Sequence, residues 1–212
     1  MNRKSPTPLA WNLLLLLTAA LLLAGCGRSV PVSYYQLAPV KGEAAADEAI
    51  VASDMIIGIG PVRLQEHLDR PQLITRTGAN RLQLADRHRW AEPLAENIAW
   101  VLRENLSTLL GTEHLLLYPW ERSTQVNAQI TLEILHCEGM DNGTAQLTAL
   151  WSISDPGGKA LLSPRRSSYE VPLATQDQEG LASALSEALA RLSRDIAGEL
   201  AHPQSEPPVQ NP

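Results

Sequence analysis

Cysteine is scarce in this chain: its 212 residues include two, Cys26 and Cys137. Acylation of Cys26 would leave Cys137 with no cysteine of the same chain to pair with. We therefore expect no intramolecular disulfide. The fold must be stabilised by apolar packing, even in an oxidising compartment.

The sequence also lacks the short motifs of common enzymes. It contains no H-E-x-x-H metal motif, no G-x-S-x-G nucleophile motif and no glycine-rich phosphate loop. Its histidines show none of the spacings typical of zinc ligands: His67, His88, His114, His136 and His202. We predict a non-enzymatic protein that needs no cofactor or metal. Scattered Ser, His and Asp residues could still converge in the fold, so a hydrolase is the alternative.

The apolar segment near the N-terminus is too short to span a membrane easily, since a membrane-spanning helix takes about 20 apolar residues. Residues 13–23 form an eleven-residue apolar run interrupted by Thr18, and the basic residues Arg3 and Lys4 precede it. This order is typical of a cleaved signal peptide. We predict that residues 1–25 are a lipoprotein signal peptide.

The run ends in Leu-Ala-Gly-Cys at residues 23–26, which resembles the lipobox of bacterial lipoproteins. We predict cleavage before Cys26, acylation of its thiol and freed amine, and a lipidated N-terminus over residues 26–31. Two or more acyl chains give stable anchoring where one chain binds marginally. Gly27 follows the cysteine, where aspartate would favour inner-membrane retention in Gram-negative bacteria. The predicted location is the inner leaflet of the outer membrane, facing the periplasm. The alternatives are therefore a lipid-anchored periplasmic hydrolase and a stand-alone structural envelope lipoprotein.

Basic residues are too few for a nucleic-acid-binding protein. Loss of the signal peptide leaves 15 basic against 23 acidic residues, a net charge of −8. This balance argues against nucleic acid as a partner. Six arginines against three acidic residues nevertheless give residues 63–89 a local charge of +3, so the rest of the mature chain carries −11.

Order is expected over residues 32–201. The C-terminal stretch 202–212 is polar and rich in proline, and we predict a disordered tail. Residues 38–49 read as a second segment of low order, between two early strands.

Alternating apolar residues predict several strands. Two strands are predicted over residues 32–37 and 114–119, because the first segment is rich in strand formers and the second in apolar residues. In residues 55–60, the glycines Gly58 and Gly60 lie on one face, which admits close backbone approach. Further strands are predicted around a hairpin loop at 78–80, over 126–136, over 145–153 and up to Val171. The Asn-Gly step within residues 140–143 and the turn at 155–158 join the last three into a meander.

The apolar spacing predicts two helices. The first spans residues 92–110, with Pro93 in its first turn and Gly111 as its C-cap. The second covers about 178–200. The predicted fold class is α+β, a largely antiparallel sheet with two long amphipathic helices packed on one face. In the 126–136 strand, His136 falls in phase with the apolar face, and Cys137 is predicted to face the other way as a small packing residue.

Several segments together resemble a known family. These are "YYQL" after the lipobox, then "IGIGPVRLQEHLDRPQLITR", then "NRLQLADRHRWAEPL" and a leucine-rich helix. The chain is similar in these segments to the ABC-type transport auxiliary lipoproteins, the PqiC-like family, from about Tyr34 to Leu200.

The resemblance implies a docking role. Members of the family work with MCE-domain proteins and integral membrane or ABC-transporter components that move lipids or other hydrophobic molecules. A homo-oligomer is plausible for an accessory at the end of a tubular MCE assembly, where symmetry must match. The implied partners are therefore an MCE-domain protein, its permease and the membrane that holds acylated Cys26.

The stretch "DRHRWAEPL", residues 86–94, concentrates residues that could serve chemistry or binding. We interpret it as a corner in which Asp86 ends a strand, Trp90 covers the first turn of the helix and His88 is exposed. Trp and Arg are over-represented in binding hot spots, and a basic patch could meet an acidic partner or anionic lipid headgroups. The candidate partner-binding residues are Arg70, Arg76, Arg81, Arg87, Arg89 and Trp90.

Overall fold

The computed structural model describes residues 12, 30–39, 55–121 and 123–201. The fold below is that of residues 32–201. The predicted signal peptide, Cys26, most of the low-order segment and the predicted tail lie outside the described residues. No helix in the described part of the chain is long and apolar enough to cross a membrane.

Two helices and eight strands make up the fold of the described residues. In chain order they are β1 (Ser33–Tyr35), β2 (Ile57–Leu64), β3 (Gln72–Gly78), β4 (Arg81–Trp90), α1 (Leu94–Leu110), β5 (Leu115–Leu117), β6 (Ala128–Met140), β7 (Thr144–Ser154), β8 (Ala160–Pro172) and α2 (Gln178–Ala201).

Strand β6 organises a single mixed sheet. One of its edges pairs antiparallel with β7, which pairs antiparallel with β8. Its other edge pairs in parallel with β2 along its first half and with β3 near its end. Strand β5 extends the sheet beyond β2, and β4 followed by β1 extends it beyond β3.

The α+β class with both helices on one face is confirmed, but the sheet is only partly antiparallel. Four of the seven strand pairings in the described residues are parallel: β1–β4, β2–β5, β2–β6 and β3–β6. Hairpin signals in a sequence report antiparallel pairs of neighbouring strands. The parallel pairs join distant segments, because the chain passes through β3, β4, α1 and β5 before β6 returns beside β2. No local pattern encodes that return.

Helix α1 forms where its apolar spacing predicts it. It begins at Leu94 rather than at Glu92, with Pro93 at the N-cap position. Gly111 ends it in the left-handed conformation, with φ 64° and ψ 30°, as predicted. Its buried face packs on β2 and β5, and α2 packs on β6, β7 and β8. The helices also contact each other, where Asn105 Nδ2 donates to Ser193 Oγ at 3.0 Å.

A β-bulge in β6 overturns the predicted orientation of His136 and Cys137. The register with β7 shifts between Ile134 and His136, which leaves one extra residue on β6. Cys137 therefore points into the core beneath the helices and is buried. His136 turns to the opposite, helix-free face, where it lies across from Thr148.

The glycine face of β2 is closely covered, as the sequence predicts. A Cβ atom placed on Gly58 would lie 2.5 Å from the ring of Trp120. Gly60 adopts a φ of 107°, and Tyr118 Cβ would lie 3.0 Å from an added Cβ. The segment after β5 thus uses the missing side chains of β2 to pack directly on its backbone.

Candidate partner-binding surface

The arginine-rich segment (residues 63–89) covers the end of β2, a loop, β3 and most of β4. Its fold distributes the six arginines unequally. Arg63, Arg70, Arg81 and Arg87 are exposed, whereas Arg76 and Arg89 are partly buried. The predicted partner-binding set therefore contains residues with different roles.

Arg76 is engaged within the protein. Its Nε donates to Glu138 Oε1 at 2.7 Å, and its Nη1 donates to the carbonyl of Ala79 at 3.3 Å. The Glu138 side chain is completely buried, while that of Arg76 is 20% exposed. A buried carboxylate needs such a partner, because an unpaired charge away from water is strongly unfavourable. Arg76 thus stabilises the sheet and offers little to a partner.

Two histidines complete the cluster around Glu138 on the helix-free face. His136 Nδ1 lies 3.1 Å from Glu138 Oε1, and His67 Nε2 lies 3.7 Å from Oε2. Neither His67 Nε2 nor Glu138 Oε2 has a hydrogen-bond partner in the described part of the chain. The described residues contain no group of three or more His, Cys, Asp or Glu side chains that could hold a metal ion. The cluster joins the loop after β2, strand β3 and strand β6.

Three other arginines of the set lie on β4: Arg81, Arg87 and Arg89. Arg81 is exposed, and its Nε donates to Thr77 Oγ1 across the hairpin at 2.9 Å. Arg87 is exposed as well. Arg89 lies opposite Tyr34 of β1, and its buried Nε has no hydrogen-bond partner among the described residues. These three residues border the edge of the sheet.

Trp90 is part of the core, with 6% of its surface exposed. It ends β4, so the strand runs four residues beyond Asp86, where the sequence predicted its end. The Trp90 N–H donates to the carbonyl of Pro71 at 2.7 Å, and Ala91 N–H donates to the carbonyl of Tyr35 at 2.8 Å. The corner interpretation of this stretch is confirmed for Trp90.

His88 is not exposed, contrary to the sequence prediction. It is half-buried, and its Nδ1 shares a hydrogen bond of 2.8 Å with the Tyr35 hydroxyl. The parallel pairing of β1 with β4 places these rings side by side, with centroids 5.6 Å apart. A pairing between segments 53 residues apart is not visible in a local pattern.

Asn97 in the first turn of α1 secures this corner. Its buried Oδ1 accepts from Leu37 N–H at 2.7 Å, and its Nδ2 donates to Glu92 Oε1 at 2.7 Å. Gln36 Nε2 donates to the same Glu92 oxygen at 3.0 Å. The chain after β1 is thereby attached to the start of α1.

A shallow depression of about 360 Å³ opens beside the corner. Trp90 and Pro93 contribute its apolar lining, and the exposed Arg70 and Asp69 lie at its rim. Of the six predicted residues, the structure brings Arg70 and Trp90 together here. An apolar floor with charged residues around it is the anatomy of a small protein-binding surface.

The residues whose pKa values are shifted lie away from this depression. Burial, and secondarily the charge of Glu138, raises the pKa of the Cys137 thiol to about 12. Burial and a hydrogen bond to Asp195 raise the pKa of Tyr169. Hydrogen bonds from the Gly180 N–H and the Thr175 hydroxyl lower the pKa of Asp177, which caps the start of α2. The Cys137 thiol is thus protonated at neutral pH, in keeping with a packing role.

A family model described as "ABC-type transport auxiliary lipoprotein component" matches residues 35–197. The chain belongs to this family. The match covers the sheet from the end of β1 and nearly all of α2.

Solved structures share the fold of this auxiliary lipoprotein. Protein XCC0632 from Xanthomonas campestris, described as DUF330, aligns with a TM-score of 0.66 at 13% identity over 79% of this chain and 93% of that one. An uncharacterized protein aligns with a TM-score of 0.66 at 18% identity, over 81% of this chain and 99% of that one. At such identities the likeness shows the fold alone. A search of curated proteins found no match.

Sequence reasoning missed Glu138 and Asn97 as residues that shape this auxiliary lipoprotein's surface. A signal for Glu138 existed: a charged residue within the apolar strand β6 implies a buried partner of opposite charge. Asn97 had a similar signal, since it interrupts the apolar stripe of α1 between Leu94 and Ile98. Neither signal names the partner, because both partners are about 60 residues away along the chain.

Proposed function

We propose that this auxiliary lipoprotein is anchored through acylated Cys26 in the inner leaflet of the outer membrane. There its domain, residues 32–201, serves as the docking subunit of an MCE-type system that transports lipids or other hydrophobic compounds. The observation that carries the proposal is the family match over residues 35–197 directly after a lipobox that ends at Cys26. Its activity is binding, and no cofactor is required.

The anchor can be tested by metabolic labelling. Wild-type protein should incorporate labelled palmitate and fractionate with outer membranes. Cys26→Ala should remain uncleaved and unlabelled, because the acceptor thiol is gone. Absence of label in the wild-type protein would reject the anchor, and recovery mainly with inner membranes would reject the inference drawn from Gly27.

We place the docking of the MCE-domain partner at the corner depression, with Arg70 at its rim. Pro93 and the small exposed part of Trp90 supply apolar contact, and Arg70, which lies beside Asp69 and Glu92, supplies a charge with which a carboxylate of the partner can pair. Of the partner-binding set inferred from the sequence, Arg70 and Trp90 belong to this surface. Arg76 does not, because it pairs with Glu138, and the arginines of β4 lie at the sheet edge and do not line the depression.

The docking surface can be tested by capture of the MCE-domain protein from the same cells. Arg70→Glu should weaken capture, most clearly at low ionic strength, where charge interactions are least screened. Arg194→Glu is the matched control, since this exposed arginine lies on α2. Equal capture by both variants, with both correctly folded, would remove the corner depression from consideration.

We also propose that the protein forms a homo-oligomer. A docking subunit at the end of a tubular assembly must match the symmetry of that assembly, which favours a closed ring of identical subunits. Light scattering of the purified mature protein would measure the subunit number. A strictly monomeric protein, both alone and with its MCE partner, would contradict this part.

A further inference from the structure

The edge of the sheet formed by β1 and β4 exposes apolar surface close to the start of the domain. Tyr34 is 64% exposed, and Val32, just before β1, is 37% exposed. These residues are two apart in an extended segment, so their side chains project from the same side. Tyr34 lies directly opposite Arg89 in the parallel pairing of β1 with β4.

Strand β4 gives the same edge a positive charge. Arg81 and Arg87 are exposed and Arg89 is partly buried, while Asp86 is the strand's one acidic residue. Elsewhere the protein is strongly acidic, as its overall charge of −8 after signal-peptide removal requires. The β1–β4 edge therefore combines an exposed tyrosine with arginines on an otherwise anionic molecule.

The length of the tether restricts where this edge can lie. Val32 follows Cys26 by six residues. A fully extended chain spans at most about 3.3–3.6 Å per residue, so Val32, where the edge begins, can lie no more than roughly 21 Å from an anchor at Cys26. At full extension the tether is about two to three Debye lengths long at physiological ionic strength, a distance at which charges are largely screened. The charges of the membrane surface therefore act on the domain when a less extended tether brings the edge within about one Debye length of that surface.

We propose that the β1–β4 edge, represented by Val32, Tyr34, Arg81 and Arg87, lies against the anionic phospholipid headgroups of the leaflet that holds the anchor. The inference rests on the proposed acylation of Cys26. An acidic domain held this close to an anionic surface is repelled unless its basic edge faces that surface. Tyrosine is favoured at membrane–water interfaces because its ring is apolar and its hydroxyl is polar.

A single-cysteine label can test the orientation in the intact acylated protein. Cys137 is buried and its thiol is protonated at neutral pH, so it does not compete for the label. We expect an environment-sensitive fluorophore at Tyr34→Cys to shift to shorter wavelength in vesicles of phosphatidylcholine with phosphatidylglycerol. The same fluorophore at Leu161→Cys should not shift, because this exposed residue lies on β8 at the opposite edge of the sheet.

A charge variant tests the role of the arginines. One basic residue near an anionic surface contributes about fivefold in membrane association, so Arg81→Gln with Arg87→Gln should lower the ratio of membrane-facing to free orientation roughly 25-fold. Arg191→Gln with Arg194→Gln on α2 is the matched control and should leave the ratio unchanged.

The outcomes separate the two proposals. If wild-type protein fails to float with vesicles, the anchor is wrong and this inference falls with it. If it floats but the label at position 34 behaves like that at position 161, only the present inference is overturned. An equal shift in vesicles of phosphatidylcholine alone would also overturn it, because anionic headgroups would then play no part.

Discussion

Replacing Arg76 with methionine should reveal how strongly the buried carboxylate of Glu138 depends on its partner. Methionine keeps much of the length of arginine but removes the donor that lies 2.7 Å from Glu138 Oε1. Removing one member of a buried ion pair costs about 3–5 kcal/mol of the free energy of unfolding. We expect the lower end, about 3 kcal/mol, because His136 Nδ1 lies 3.1 Å from the same oxygen and can supply a replacement donor.

A double-mutant cycle isolates the pair from the loss of packing. Glu138→Gln alone should cost about 1–2 kcal/mol, the range for a buried polar group whose hydrogen bonding is disturbed. In that background, Arg76→Met should cost about 1 kcal/mol, because the side chain at position 138 no longer carries a charge. The coupling energy is then about 2 kcal/mol, within the range for residues in direct contact.

Urea unfolding followed by tryptophan fluorescence measures all four proteins of the cycle. Arg81→Met, on the same hairpin and exposed, is the control and should change the free energy of unfolding by about 0.5 kcal/mol or less. If Arg76→Met costs the same in the wild-type protein and in the Glu138→Gln variant, the two side chains are not coupled. The account of Arg76 as a structural partner is then refuted.

Three further changes test the corner and the core. Trp90→Ala should lower the free energy of unfolding by about 3–5 kcal/mol because it removes a buried ring; a melting curve with an unchanged midpoint would contradict its place in the core. Asn97→Ala leaves the buried Leu37 N–H unpaired and should cost about 1–3 kcal/mol, which hydrogen exchange at Leu37 would detect as lost protection. The raised pKa of Cys137, about 12 against an ordinary 9.0, gives stability that is complete below pH 9 and declines as the pH rises towards 12, because the unfolded thiol ionises first. Urea unfolding at pH 8 and about pH 10.5 should therefore show a smaller loss for Cys137→Ala than for the wild type, and equal losses would contradict this account.

Local patterns predicted the elements that local energetics determine. The apolar spacing and Gly111 located α1 to within two residues at its start, because a helix buries one periodic face and ends where a residue can adopt the left-handed conformation without strain. The Asn142-Gly143 step marked the turn between β6 and β7 for a similar reason, since Gly143 adopts a φ of 78°.

The register of the strands and the partners of individual side chains could not be predicted in the same way. One extra residue at the bulge in β6 exchanged the faces of His136 and Cys137, because strand faces alternate with a period of two. The six arginines looked equivalent in the sequence, yet Glu138 makes Arg76 structural, while Arg70 in the loop before β3 is exposed. Such assignments depend on contacts between segments about 60 residues apart, and a single sequence carries no record of them.

The attachment of β1 links the proposed anchor to the proposed docking surface. A three-residue strand is too short to be stable on its pairing alone, so its position depends on the contacts of Tyr35 and Leu37. Those contacts lead to His88 and Asn97. His88 precedes Trp90, which lines the corner depression, by two residues, and Asn97 donates to Glu92, which also lines it. The tether from Cys26 therefore ends at a defined point beside that depression rather than at a loose terminus. Weakening either contact should release β1 and lengthen the effective tether, which would impair both membrane orientation and partner capture while the helices and β6–β8 stay folded. The two proposed surfaces thus depend on one small hydrogen-bonded attachment.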